Sequence, residues 1–237
     1  MKQISNRIIT GPKLFFALAL LVVIISANPT AGLAQTGIEP HAFAAEVETF
    51  RRWDRQFQVP PHPIVFTGSS SIRKWDNLQV AFGSYNVINR GIGGAVTNDI
   101  TYFLKDLVFA YQPRQLILYV GENDLPDNGT TADSILQRTI RLFTAIREKL
   151  PDVPIVYVCM KPSPSREQFR QKEIEGNKLI RNYLLKDKNV FYLDVYSLML
   201  TPDGHSRPEL FVGDRLHMNP LGYAIWERAL KPHLLLK

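Results

Sequence analysis

The chain has 237 residues, of which 45% are hydrophobic and 21% are charged, with a formal net charge of +6. This composition is that of a globular protein, and it excludes a largely disordered chain and a multi-span membrane protein. The basic residues form no dense run, so we expect no nucleic-acid partner.

The N-terminal segment has the pattern of an export signal. Three basic residues and no acid lie in residues 1–34, an apolar run covers residues 14–25, and small residues follow up to Gly32-Leu33-Ala34. The apolar run is shorter than the roughly 20 residues that a membrane-spanning helix needs. We predict a cleaved signal over residues 1–34, a single domain over residues 35–237 with a net charge of +3, and a periplasmic or secreted protein. An uncleaved N-terminal membrane anchor remains the alternative.

Beyond this segment, short apolar runs alternate with longer amphipathic stretches. Strands are predicted at residues 64–67, 85–88, 115–120, 154–160 and 190–193, and helices at residues 40–57, 131–150, 167–185 and 220–235. The single cysteine, Cys159, lies within an apolar strand, so we expect a buried and inert thiol. Strands that alternate with helices, and that show little polar alternation, predict an α/β domain with a parallel sheet covered on both faces.

Ligands of such sheets bind beyond the carboxyl ends of the strands. Three polar motifs follow predicted strands directly, and a fourth precedes the last helix. The motifs are Gly-Ser-Ser-Ser at residues 68–71, Asn-Arg-Gly-Ile-Gly-Gly at residues 89–94, Gly-Glu-Asn-Asp at residues 121–124 and Asp-Arg-Leu-His at residues 214–217. We therefore expect these residues to converge on one edge of the sheet.

The chemistry of these motifs is complementary. A serine between a strand and a helix exposes its hydroxyl beside free backbone amides that favour negative charge. A serine hydroxyl needs a histidine base to attack at neutral pH. In the Asp-x-x-His motif, Asp214 is placed to orient His217 and to stabilise its protonated form. Glycine permits close backbone approach, and an asparagine amide is a neutral hydrogen-bond donor for an oxyanion.

With these motifs in this order, the sequence resembles the SGNH, or GDSL-like, hydrolases over most of residues 63–223. The resemblance implies a nucleophile at Ser70, an oxyanion hole formed by the Ser70 amide, Gly94 and Asn123, and a catalytic triad completed by Asp214 and His217. It also implies a three-layer α/β/α sandwich of the flavodoxin type, with a five-stranded parallel sheet in the order 2-1-3-4-5.

The sequence departs from the family pattern at one position. Ser69 stands where the family has an aspartate before the nucleophile, so three serines follow one another. Alignment on Gly68 selects Ser70, although Ser69 or Ser71 as nucleophile stays open. The run Gly-Ser-Ser-Ser-Ile-Arg-x-Trp, together with Lys-Pro-Ser-Pro-Ser-Arg at residues 161–166, resembles one branch of the family. Glu122 and Arg166 are candidates either for the wall of the site or for structural ion pairs.

The resemblance implies a serine esterase that acts through an acyl-enzyme on short acyl groups of a small-molecule or carbohydrate substrate, without a metal or an organic cofactor. Two other hypotheses remain. One is an acyltransferase or deacetylase that acts on cell-envelope polysaccharide with the same residues. The other is a non-catalytic binding module with a degenerate site. The presence of all the motif residues argues against the second.

Overall fold

A computed structural model describes residues 41–236, and the predicted export signal lies outside them. Five strands form one parallel sheet. The strands are β1 Ile64–Gly68, β2 Val87–Gly91, β3 Gln115–Tyr119, β4 Ile155–Val158 and β5 Val190–Leu193. Their order is β2-β1-β3-β4-β5, which confirms the predicted topology. Since β1 and β3 are adjacent at the centre, Gly68 aligns with Gly91 on one side and with Tyr119 on the other.

Within residues 41–236, eight α-helices connect and cover the strands. They are α1 Ala44–Gln56, α2 Ser70–Arg73, α3 Leu78–Ala81, α4 Thr97–Tyr102, α5 Leu104–Leu107, α6 Ala132–Lys149, α7 Arg170–Leu184 and α8 Pro220–Leu230. The longest, α6, begins at a Thr131 cap whose hydroxyl accepts a hydrogen bond from the backbone of Ser134, and it ends just before Pro151. None of the helices in residues 41–236 is long and apolar enough to cross a membrane.

Alternating strand side chains separate two hydrophobic cores. Val65 and Leu116 belong to the core that α1 and α4 to α7 cover, whereas Phe66 and Ile117 belong to the core that α2, α3 and α8 cover. This gives the three layers α/β/α expected for strands that are buried on both faces. Each fully buried side chain of this size contributes about 1.5–3 kcal/mol relative to an exposed one, so both cores stabilise the sheet.

The boundaries of β2 differ from the prediction. A strand was predicted at residues 85–88 with a loop from residue 89, but β2 continues through Arg90 to Gly91. Arg90 is only 7% exposed, since its guanidinium lies over the rings of Phe50 and Tyr111 and pairs with Asp54. An arginine that is buried by partners distant in sequence leaves no apolar signal in the strand itself.

Smaller differences concern helix ends. The prediction of a last helix over residues 220–235 is too long, because α8 ends at Leu230 and Pro232 follows. The predicted helix over residues 167–185 begins instead with a 3₁₀ segment, Pro164–Phe169, that leads into α7. The four-to-six-residue helices α2 to α5 are too short to show a helical period.

Candidate active site

Ser70 lies at the carboxyl end of β1, where the chain turns sharply into α2. Gly68, at the end of β1, has a φ of +128°, and a Cβ there would lie 1.8 Å from the carbonyl oxygen of Tyr119 on β3. Only glycine fits this position. Ser69 is the N-cap of α2 and Ser70 its first residue. The backbone N–H of Ser70 therefore has no partner within the helix.

The geometry distinguishes Ser70 from the serines on either side. Its Oγ lies 2.8 Å from Nε2 of His217. Ser69 and Ser71 are each 1% exposed, and within residues 41–236 neither hydroxyl is hydrogen-bonded to a histidine. Of the three serines that the sequence left open, the structure brings only Ser70 to the imidazole.

The other ring nitrogen of His217 lies against a carboxylate. Nδ1 is 2.6 Å from Oδ2 of Asp214. A proton on Nδ1 satisfies this contact and leaves Nε2 free to accept the hydrogen bond from the Ser70 hydroxyl. The three side chains thus form a continuous hydrogen-bonded chain from Asp214 through His217 to Ser70.

The loop that carries Asp214 and His217 is held by the carboxylate itself. Oδ1 of Asp214 accepts the backbone N–H groups of Leu216 and His217, each at 2.9 Å. Partial burial by itself raises the pKa of Asp214. The hydrogen bonds from the His217 ring and from the two backbone amides outweigh that effect and hold the pKa well below the usual carboxyl range. These hydrogen bonds therefore favour the ionised form of Asp214.

A lysine that the sequence analysis did not select also contacts the histidine. Nζ of Lys74 lies 3.2 Å from Nδ1 of His217. Lys74 follows Ser70 by one helical turn, so both side chains lie on the same face of α2. Since Nδ1 donates to Asp214, the ammonium is a neighbouring positive charge rather than a second hydrogen-bond donor. The spacing of four residues between Ser70 and Lys74 is the sequence feature that could have identified this lysine.

Gly94 and Asn123 lie on the loops that follow β2 and β3. Gly94 is exposed with a φ of +83°, and its N–H makes no hydrogen bond to a described residue. Asn123 is half-buried, and its Nδ2 donates to the carbonyl of Ala95 at 3.0 Å. This bond ties the two loops together and uses one of the two amide hydrogens, so the other remains for a ligand.

A second tie between these loops involves Asp124, a residue to which the sequence gave no role. Its carboxylate is fully buried, accepts the N–H and the hydroxyl of Thr97 at 3.0 Å each, and pairs with Arg138 at 2.7 Å. Thr97 begins α4, three residues after Gly94. The loop bearing Asn123 is thereby fixed against the loop bearing Gly94.

Glu122 has a structural role. Its carboxylate accepts hydrogen bonds from the Tyr119 hydroxyl at 2.6 Å, from the Lys161 ammonium at 2.8 and 2.9 Å, and from the Ser163 hydroxyl. Glu122 is 3% exposed and Lys161 is 0% exposed. Of the two alternatives for Glu122, the structural ion pair is confirmed.

The segment of residues 161–166 also contacts the loop that carries Asp214 and His217, which we call the histidine loop. The N–H of Ser165 donates to the carbonyl of Arg215 at 3.0 Å, and Arg215 lies between Asp214 and His217 with a φ of +58°. Arg166 is half-buried and forms no ion pair with a described residue. One segment thus braces both the Asn123 loop and the Asp214–His217 loop.

The remaining candidate group is the thiol of Cys159. It is fully buried beside β5, and burial, with a smaller contribution from Asp194, raises the pKa of the thiol to about 12. A thiol in this state is a poor nucleophile. Within residues 41–236 no group of three or more histidine, cysteine, aspartate or glutamate side chains is placed to hold a metal ion.

Comparisons with known proteins identify the family and the fold. A family model described as the GDSL-like lipase/acylhydrolase family matches residues 49–225, a range that includes every predicted site residue. A search of curated proteins finds no match.

Several solved structures share the fold. A GDSL-like lipase from Bacteroides thetaiotaomicron superposes with a TM-score of 0.66 at 17% identity, covering 80% of this chain and 97% of that one. A lipase/acylhydrolase from Enterococcus faecalis gives 0.57 at 21% identity, with coverages of 74% and 98%. A catalytic mutant of an acetylxylan esterase from Geobacillus stearothermophilus gives 0.59 at 13% identity, with coverages of 76% and 98%.

At these identities the superpositions establish the fold, whereas the family model extends over most of the chain and over all four motifs. The chain therefore belongs to the GDSL-like lipase/acylhydrolase family and is a carboxylic ester hydrolase.

Proposed function

We propose that the protein is a serine esterase that works through an acyl-enzyme on Ser70. The observation that carries this proposal is the pair of contacts at His217, with Ser70 Oγ 2.8 Å from Nε2 and Asp214 Oδ2 2.6 Å from Nδ1. Hydrogen-bonded nucleophile, base and orienting carboxylate are the three groups that ester cleavage by serine requires.

In the first half of the reaction, Ser70 Oγ attacks the ester carbonyl while Nε2 of His217 takes the hydroxyl proton. The tetrahedral intermediate collapses when His217 returns this proton to the leaving alcohol, which leaves an acyl-serine. In the second half, a water molecule gives a proton to Nε2 of His217 and attacks the acyl carbonyl. The bond to Ser70 Oγ then breaks as His217 returns the proton to Oγ, which releases the carboxylic acid and regenerates Ser70. Asp214 stays ionised throughout, since its pKa is held well below the usual range.

The negative oxygen of the intermediate is stabilised by three donors: the backbone N–H of Ser70, the backbone N–H of Gly94 and Nδ2 of Asn123. Three features support this assignment. The Ser70 amide lies in the first turn of α2, the Gly94 amide makes no hydrogen bond to a described residue, and Asn123 retains one amide hydrogen. Donors that are fixed in advance need no reorganisation as charge develops.

As substrate we propose a short acyl ester, such as an acetyl group, on a small molecule or a carbohydrate. Support comes from the shared fold with an acetylxylan esterase. The signal pattern of residues 1–34 supports action outside the cytoplasm, where acylated carbohydrates of the cell envelope or the medium are accessible.

Steady-state kinetics of single alanine variants at the three serines test the proposal. With 4-nitrophenyl acetate, we expect Ser70→Ala to lower kcat by roughly 10³-fold or more. Ser69→Ala and Ser71→Ala serve as matched controls for the loss of a buried hydroxyl, and we expect both to retain most of the activity. Full turnover by a folded Ser70→Ala protein would rule out the acyl-enzyme mechanism.

A further inference from the structure

A cleft of about 800 Å³ lies beside the site, between α1, the end of α2 and the edge strand β2. Its wall includes polar and aromatic side chains: Glu46, Trp53, Arg73, Lys74, Asp76 and Gln79. The steps proposed for ester cleavage use none of them.

Two residues of the cleft wall contact residues of the site. Lys74 lines it and lies 3.2 Å from Nδ1 of His217. Arg73 lies against Gly93, where an added Cβ would be 3.3 Å from the guanidinium, and Gly93 directly precedes Gly94 of the proposed oxyanion hole. Lys74 thus separates the cleft from the base, and Arg73 and Gly93 separate it from Gly94.

At its other end the cleft continues along α1. A second cleft of about 430 Å³ shares Trp53 and Gln79 with the first and extends to Phe57. Trp53 is 53% exposed and Phe57 is 67% exposed, and the two lie one helical turn apart. Large aromatic side chains that are this exposed, and that line a cleft, mark a binding surface.

Several polar groups of the two clefts are available to a ligand. The side chains of Asp76, Gln79 and Gln58, and the indole N–H of Trp53, make no hydrogen bond to a described residue. The charges on the wall are balanced, since Glu46 pairs with Arg73 at 2.5 Å and Asp76 offsets Lys74. A strongly anionic or cationic chain gains little from such a wall.

This combination fits the two faces of a sugar ring. The C–H face of a pyranose packs on a flat aromatic side chain, and its hydroxyls both donate to and accept from carboxylate and amide groups. A fatty acyl chain would instead require an enclosed apolar cavity, because burying unpaired carboxylate and amide groups against it costs free energy.

We propose that this cleft binds a neutral oligosaccharide, with sugar units on Trp53 and Phe57, and that the enzyme removes acyl groups from the unit nearest Ser70. The assignment rests on the proposed esterase function, and it names the substrate class. Gln79 and Asp76 are the residues that hydrogen-bond the sugar hydroxyls.

The kinetic test compares acetylated neutral mono- to tetrasaccharides with 4-nitrophenyl acetate. For the wild-type enzyme, kcat/KM rises with the number of sugar units. In Trp53→Ala, kcat/KM falls about tenfold more on the tetrasaccharide ester than on 4-nitrophenyl acetate, through KM, as expected for loss of an aromatic packing surface. Leu198→Ala removes a side chain of similar exposure, 48%, that lines neither cleft, and leaves both substrates unaffected.

Two kinetic outcomes would overturn the assignment. One is a kcat/KM that does not depend on saccharide length. The other is a wild-type kcat/KM that rises with acyl length in a series of 4-nitrophenyl esters, together with a Trp53→Ala enzyme whose kcat/KM does not depend on acyl length. That result would identify the cleft as an acyl-chain site.

A binding measurement separates this inference from the esterase proposal. Titration of the catalytically inactive Ser70→Ala protein with unacylated xylotetraose and cellotetraose changes its tryptophan fluorescence if the cleft binds saccharide, and Trp53→Ala in the same background abolishes the change. Saturable binding without any esterase activity in the wild type refutes the esterase and retains the saccharide site. Esterase activity without binding of either tetrasaccharide refutes the site alone.

Discussion

The ammonium of Lys161 lies 2.8 and 2.9 Å from the two carboxylate oxygens of Glu122, and neither residue is more than 3% exposed. Glu122 directly precedes Asn123, and Lys161 begins the segment that contacts the histidine loop through Ser165. A buried ion pair is weak evidence for net stability, but removing one partner is costly because it leaves the other charge unpaired. We interpret this pair as the element that fixes Asn123 relative to His217.

Replacement of Lys161 by methionine tests that interpretation. We expect Lys161→Met to lower the free energy of unfolding by about 3–5 kcal/mol. We also expect kcat for 4-nitrophenyl acetate to fall while KM changes little, because Asn123 acts mainly on the transition state. Chemical denaturation and steady-state kinetics measure the two effects.

The double variant Glu122→Gln/Lys161→Met removes both charges and is the matched control. We expect it to recover part of the stability that Lys161→Met loses, since no buried charge is left unpaired. The contrary result is that the losses in free energy of unfolding from Glu122→Gln and Lys161→Met simply add in the double variant. In that case the two side chains are not coupled and the interpretation is wrong.

Asn123 is expected to act on the transition state. Asn123→Ala removes one oxyanion donor, which typically costs about 10²–10³-fold in kcat. Asn128→Ala, an exposed position in the same segment, is the control and should leave kcat unchanged. An Asn123→Ala enzyme that loses affinity for substrate but keeps kcat would place this side chain in ground-state binding instead.

Asp214 is expected to contribute to both activity and stability. Asp214→Asn should lower kcat by roughly 10²–10⁴-fold, because the amide no longer fixes the required tautomer of His217. An equivalent change at the exposed Asp203 should have no such effect. No loss of kcat in Asp214→Asn would remove this residue from the proposed triad.

The stability effect of Asp214 has a defined pH dependence. Because its pKa is lowered in the folded protein, its contribution is present above the ordinary carboxyl value of 3.8 and is lost as the pH falls through the lowered pKa. The Tm difference between wild type and Asp214→Asn should therefore be constant at neutral pH and shrink only under strongly acidic conditions. Thermal unfolding across this range measures it.

The contribution of Glu173 to stability should have the opposite pH dependence. Burial, with the nearby Glu122 carboxylate, raises the pKa of Glu173 well above its usual value of 4.5, and one of its carboxyl oxygens has no hydrogen bond to a described residue. The folded state therefore keeps a proton that the unfolded chain releases above pH 4.5, so this group makes the protein less stable as the pH rises.

Glu173→Gln imitates the protonated acid and removes this pH-dependent penalty. We expect its Tm to exceed that of the wild type at neutral pH and to approach the wild-type Tm near pH 4. Glu175→Gln, on the same helix, is the control and should show no such trend. The opposite outcome is a Tm difference, Glu173→Gln minus wild type, that is lower at neutral pH than at pH 4. It would mean that the Glu173 carboxyl is ionised in the folded protein.

The sequence was sufficient to predict the residues that the structure brings together at His217, since each follows a strand end or precedes the last helix. Alignment with the family motif selected Ser70, but the sequence alone did not exclude Ser69 or Ser71, because that choice depends on which hydroxyl faces the imidazole. Lys74 and the cleft at Trp53 were not predicted either. Both arise from contacts between elements distant in the chain, to which local patterns are insensitive.

The topology of the fold was predicted correctly, but some boundaries of its elements were not. The topology followed from the family resemblance, and the strand-helix alternation alone indicated a parallel sheet. The end of β2 was missed because Arg90 is buried by Phe50, Asp54 and Tyr111, none of which is near it in sequence. The predicted export signal lies outside residues 41–236 and stays a prediction.

The central claim is that Ser70 becomes acylated with His217 as its base, and covalent labelling tests it most directly. The protein is treated with a fluorophosphonate, and the peptide that contains Ser69, Ser70 and Ser71 is sequenced by mass spectrometry. We predict a single adduct on Ser70 that His217→Ala abolishes and that Lys74→Ala does not. An adduct on Ser69 or Ser71, or none on a folded protein, would contradict the account.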